Sequence, residues 1–111
     1  MTLDNYQVNA VVTAIYPGMG TFIGLSYCAL KLNGEAGEVA EHIGEALRDD
    51  ARDITPARRV ALKKELGDVL WYIAALSSEL GYDLSEIARE NLKKLADRKA
   101  RGVLRGSGDE R

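Results

Sequence analysis

Residues 32–80 read LNGEAGEVAEHIGEALRDDARDITPARRVALKKELGDVLWYIAALSSEL. Two helical patterns flank a polar stretch, DDARDITP, at residues 49–56. Each pattern carries one pair of carboxylates at i, i+3: Glu35 with Glu38, and Glu65 with Asp68. The couples Glu35/Asp68 and Glu38/Glu65 share one midpoint, between Ala51 and Arg52. If the polar stretch is the turn of an antiparallel helical hairpin, all four carboxylates arrive at one level. Like charges gathered there cost stability unless a cation sits among them, and a divalent metal is the simplest candidate.

Working outward, Leu25, Ala29, Leu32, Ala36, Val39, Ile43 and Leu47 predict the core stripe of a helix beginning at Thr21 or Phe22 and ending near Leu47. Thr55-Pro56 is a helix-start signal. The next helix is expected to run to Leu80 on a stripe of Leu62, Leu66, Val69, Ile73, Leu76 and Leu80, with Gly81 closing it in the left-handed conformation. Asp83 and Glu86 have capping-box spacing and open a further helix to about Lys99. Upstream, Leu3, Tyr6, Ala10, Val11 and Ala14 predict a first helix from Leu3 to Ile15, broken by Tyr16-Pro17-Gly18-Met19-Gly20. No strand pattern or internal repeat is visible. The expectation is an all-α fold: a helical hairpin carrying a carboxylate metal site within a bundle of four to five helices, spanning residues 1–102 and completed by oligomerisation because the site is open on one side, with a flexible C-terminal tail at 103–111.

Composition narrows the function. The chain has 111 residues, 46% apolar residues and a net charge of −2. Its basic residues are scattered without interleaved aromatics, so no nucleic-acid partner is indicated. No apolar run has the length of a membrane span and no signal-peptide pattern opens the chain. The one cysteine, Cys28, lies in an apolar run and is assigned to the core. A soluble, cytoplasmic protein is the expectation.

Glutamates three apart usually mark a solvated helix face. Against that stand the shared midpoint, the isolation of Asp68 as the one charge in LGDVLWYIAALSS (66–78), and glycines 34, 37 and 67 beside the carboxylates. Asp68 is expected to be partly buried and to need a partner. Each of those glycines costs a helix about 1 kcal/mol relative to alanine and permits close approach of a helix or a ligand. The donor set points to Mg²⁺, with Mn²⁺ as the alternative, because carboxylates suit hard ions. Di-iron bundles use Glu-x-x-His motifs, whereas His42 is the only histidine, follows Glu38 by four, and reads as a flanking helix residue. Mg²⁺ held by carboxylates commonly shares its shell with substrate phosphates, which leads to phosphoryl or nucleotidyl chemistry with one carboxylate doubling as general base.

LNGEAGEVAEHIGEAL (32–47) and LKKELGDVLWYIAALSSELGYDLSEIARENLKKLADRKARG (62–102) resemble the MazG-like nucleotide pyrophosphohydrolases of the all-α NTP pyrophosphatase superfamily. Both halves of the family's Glu-x-x-Glu and Glu-x-x-Asp pattern are present, and so is an Asn-x-x-Lys-x-x-x-Arg run. The likeness covers residues 22–102. It implies Mg²⁺-dependent hydrolysis of nucleoside triphosphates between the α and β phosphates, giving monophosphate and pyrophosphate, in a homodimer or homotetramer that removes non-standard or surplus nucleotides. It implies that Glu35, Glu38, Glu65 and Asp68 are the metal ligands and catalytic carboxylates. It also implies that Asn91, Lys94 and Arg98, on one face of the last helix, meet the substrate. Lys31 either contacts phosphate or pairs with Glu35. Trp71 and Tyr72 are assigned to the core ahead of base stacking, Tyr27 is left undecided between the two, and Glu41 and Glu45 are assigned to the surface. The glycine- and arginine-containing tail lacks Walker A spacing. Rival readings are a phosphoribosyl-ATP pyrophosphohydrolase and a non-catalytic, metal-stabilised helical interaction module.

Overall fold

The computed structural model describes residues 1–111 as four helices and no strands: α1 (Leu3–Val11), α2 (Phe22–Asp49), α3 (Pro56–Leu80) and α4 (Leu84–Ala100). Thr21 caps α2, its side chain accepting from the Ile23 amide. Thr55 caps α3 by accepting from the Arg58 amide, with Pro56 at the first position. Gly81 ends α3 at φ 80°, and the Tyr82 amide returns to the Ser77 carbonyl. α1 is shorter than its apolar pattern predicts. It stops at Val11, where the β-branched run Val11-Val12-Thr13 begins and the Thr13 hydroxyl donates to the Ala10 carbonyl at 2.7 Å.

α2 and α3 form the expected antiparallel hairpin. Glu45 meets Arg58, and His42, three residues earlier, meets Glu65, seven residues later. The turn bends at the shared midpoint of the carboxylate couples: Ala51 and Arg52 both take left-handed backbone, at φ 55° and 64°.

The packed faces differ from the expected stripes by about one residue. In α2 the face turned inward is Gly24, Cys28, Leu32, Glu35, Val39, His42 and Ala46, whereas Ala29, Ala36, Ile43 and Leu47 face outward. In α3, Leu62, Val69, Ile73 and Leu76 are half-buried, but Leu66 and Leu80 are exposed. Along this seam the helices are joined by polar contacts, Arg58 meeting Glu45 and His42, and His42 meeting Glu65, so the packed face takes in polar side chains that an apolar stripe leaves out.

α1 lies on α3 and carries α4. Ala10, Ala74 and Leu84 form the joint, with Tyr6, Trp71 and Ile73 packed around it. The Asp83–Glu86 capping box does not form, because Asp83 makes no side-chain cap bond. The first α4 amides are instead taken by α1: Leu84 N–H donates to Gln7 Oε1 at 2.7 Å and Ser85 N–H to Asp4 Oδ1 at 2.9 Å. The Ser85 hydroxyl also donates to Asp4, which lowers the Asp4 pKa. No helix is long and apolar enough to cross a membrane.

Candidate metal centre and active site

Glu35 and Glu38 on α2 and Glu65 on α3 each bring a carboxylate oxygen within 4.8 Å of the other two. Glu35 and Glu65 are half-buried because they lie on the packed faces, and Glu38 is exposed at the rim. The crowding shows in their proton affinities. Burial, then the charges of Glu38 and Asp68, raises the Glu35 pKa above its ordinary value, against an opposing pull from Lys31. The close approach of the Glu38 carboxylate raises that of Glu65, followed by burial, with His42 opposing. Glu65 Oε2 is buried and has no hydrogen-bond partner. Such an orphaned acceptor inside a carboxylate cluster is what a bound cation would satisfy, so the donor set fits a hard divalent ion.

Asp68 is exposed, not partly buried as its apolar neighbours imply. Leu66, Gly67 and Leu70 beside it are exposed as well, since no part of the single chain covers that flank of α3. Asp68 lines an open cleft of about 350 Å³ with Glu35, Thr13, Trp71 and Tyr72. Glu35 is thus the carboxylate common to the cluster and the cleft. A Cβ added to Gly34, Gly37 or Gly67 would meet nothing within 4 Å, so these glycines do not serve helix packing within the chain.

The cleft has an aromatic wall. Tyr16 and Tyr27 stack at 5.9 Å, Tyr16 meets Trp71 edge-on at 6.3 Å, and Trp71 meets Tyr72 edge-on at 4.9 Å. The Trp71 indole N–H donates to Thr13 Oγ1 at 2.9 Å, which sets the ring's orientation. Trp71, Tyr72 and Tyr27 are half-buried: each gives one side to packing, and Trp71 and Tyr72 give the other to the cleft. The Tyr16 hydroxyl donates to Glu79 Oε1 at 2.6 Å, and burial with this bond pushes its pKa up.

Lys31 Nζ lies 4.0 Å from Glu35 Oε1. Asn91, Lys94 and Arg98 share no cleft with the carboxylates in one chain. Asn91 and Lys94 line an α4 cleft with Tyr82, Glu86, Ile87 and Glu90. Lys94 Nζ and Arg98 Nη2 both bind Asp109 Oδ1 of the C-terminal segment, at 2.8 and 3.0 Å. Arg98 is 5% exposed, and its Nε has no partner.

Arg58 is not marked by the sequence, and His42, assigned as a flanking helix residue, touches the cluster. His42 contacts Glu65, and Arg58 contacts His42, Glu45 and Asp50. Glu45, assigned to the surface, is half-buried by this network. The available signal was heptad spacing: His42 follows Glu35 by seven and Arg58 precedes Glu65 by seven.

A family model of the MazG nucleotide pyrophosphohydrolase domain matches residues 25–103. The chain is also 49% identical to the Gene 37 protein of Mycobacterium phage L5 over 114 aligned residues, covering 100% of both chains. No solved structure matches significantly.

Proposed function

The chain belongs to the MazG nucleotide pyrophosphohydrolase family, and we propose that it hydrolyses ribo- or deoxyribonucleoside triphosphates between the α and β phosphates, with Mg²⁺ as cofactor and Mn²⁺ as a substitute. The observation that carries this is the meeting of Glu35, Glu38 and Glu65 around an unsatisfied buried oxygen, beside a cleft holding Asp68 and an aromatic wall.

Glu35, Glu38, Glu65 and Asp68 would hold the metal. Bound there, Mg²⁺ supplies charge neutralisation of the triphosphate and a lowered pKa for water. The chain's own groups do the rest. Trp71 and Tyr72 offer ring surface to a base at the cleft that ends at Asp68. Glu35 faces both cluster and cleft, a position from which a carboxylate can accept the proton of the water attacking the α phosphorus. The bond from that phosphorus to the bridging oxygen breaks, and pyrophosphate leaves with the electron pair. Lys31 is close enough to Glu35 to meet a phosphate oxygen when the carboxylate is occupied. Lys94 and Arg98 are held by a carboxylate, the kind of anion that phosphate replaces.

A homodimer or homotetramer completes the fold in this reading. Phe22, Leu30 and Leu92 are 79%, 74% and 67% exposed in the single chain. The radius of gyration is 16.8 Å, against about 13 Å for a compact chain of this length. Partner copies would cover these side chains and bring α4 residues nearer a carboxylate cluster. The role that fits is clearing unwanted nucleotides from the cytoplasmic pool.

The test is incubation of purified protein with each nucleoside triphosphate, with and without Mg²⁺, followed by chromatography. Monophosphate and pyrophosphate without diphosphate, only when Mg²⁺ is present, is the expected result. Release of orthophosphate and diphosphate, or no turnover of any nucleotide, would overturn it.

A further inference from the structure

His42 lies outside the four-carboxylate pattern yet touches it. Its Nε2 faces Glu65 Oε1 at 3.5 Å, and its Nδ1 lies 3.2 Å from Arg58 Nη1. A guanidinium carries donors only, so in this contact Nδ1 is the acceptor. The proton of the neutral ring is then on Nε2, directed at Glu65.

Arg58 is itself fixed. It donates to Glu45 Oε2 at 3.0 Å and to Asp50 Oδ2, and Asp50 is the C-cap of α2, next to the left-handed pair Ala51 and Arg52. A continuous line of contacts therefore runs from the hairpin turn through Arg58 and His42 to Glu65. Its far end is the one carboxylate of the cluster whose other oxygen is buried and unpartnered.

We propose that His42, oriented by Arg58, is a positioning residue that holds Oε1 of Glu65 so that Oε2 is presented to the cation. A free glutamate in this place would be pushed away by Glu38 and would sample several rotamers. A donor facing Oε1 at 3.5 Å narrows that freedom before the metal arrives, as outer partners of metal-ligating side chains generally do. The proposal rests on the reading of Glu65 as a metal ligand.

The single histidine makes the experiment unambiguous. In ¹⁵N-histidine-labelled protein with saturating Mg²⁺ at pH 8, NMR should show Nε2 protonated and Nδ1 bare, and Arg58→Met should mix the two tautomers. A ring protonated on Nδ1, or on both nitrogens, would overturn the proposal. Mn²⁺ titration followed by electron paramagnetic resonance gives a second readout. His42→Ala should weaken binding by about tenfold or more with the helical spectrum unchanged. His42→Gln, whose amide N–H reaches the position of Nε2, should restore it. Equal affinity in wild type and His42→Ala removes His42 from the site but leaves the metal centre standing, whereas a wild-type chain that binds no Mn²⁺ removes the metal centre itself and the proposal with it. If His42→Ala fails to fold, a wild-type ring protonated on Nδ1 still overturns the proposal, and the Mn²⁺ affinity of His42→Gln still tests it.

Discussion

Gln7 on α1 accepts the Leu84 amide at the start of α4 through Oε1 at 2.7 Å, while its Nε2 donates to the Tyr82 carbonyl and the Ser78 hydroxyl at 2.9 and 3.0 Å. One buried side chain thus joins three helices and stands in for a cap that Asp83 does not provide.

Gln7→Ala should therefore be costly. It leaves the buried Leu84 N–H without a partner, a loss of about 2 kcal/mol or more, lowering the melting temperature by roughly 10 °C. Thermal denaturation followed by circular dichroism measures it. A shift under a degree would mean that α4 is held by its apolar contacts alone.

Gly24 packs under the turn at residues 16–20. An added Cβ would press on the Gly18 carbonyl and approach Glu79 Oε1 at 3.0 Å, and the same Glu79 oxygen holds Tyr16 and the Gly20 amide. Gly24→Ala should cost about 1–3 kcal/mol, read as a lower urea midpoint at unchanged slope.

Ala51 works in the opposite direction. Left-handed backbone costs a residue with a Cβ about 1–2 kcal/mol, and glycine returns part of that as unfolded-state entropy. Ala51→Gly is expected to stabilise the hairpin by about 0.5 kcal/mol, with turnover unchanged. A destabilised variant would show that the turn's geometry is set by something other than local strain.

Asp68→Asn removes one charge from the cleft without changing its shape. Turnover should fall by at least about 10²-fold while the melting temperature of the metal-free protein holds or rises, since Asp68 contributes to the repulsion on Glu35. Normal activity would take Asp68 out of the site.

Glu35 and Glu65 have folded-state pKa values above their ordinary ones. Between the unfolded and folded values the native state binds more protons, so stability falls as pH rises through that window. The metal-free protein should melt highest near the ordinary glutamate range and lose stability upward from it. Mg²⁺ should recover the loss at pH 8, where ligand binding favours the native state. A Mg²⁺ effect as large at pH 4.5 as at pH 8 would contradict this origin.

The sequence alone determined the helices, the hairpin and the meeting of Glu35, Glu38 and Glu65, because each depends on local spacing and turn chemistry. Thr55-Pro56 starts α3, Gly81 stops it, and an antiparallel return about Ala51 and Arg52 places residues equidistant from the turn at one level. Tertiary structure decided which side of each helix is packed. The stripe Leu25 to Leu47 is more apolar than the face actually used, which takes in Glu35 and His42, and the Arg58 contacts with Glu45, Asp50 and His42 lie along the latter. It decided the exposure of Asp68, the Gln7 cap on α4 and the contact of His42 with Glu65. Each of these joins residues from separate elements, and helical periodicity carries no information about which neighbour a face will meet.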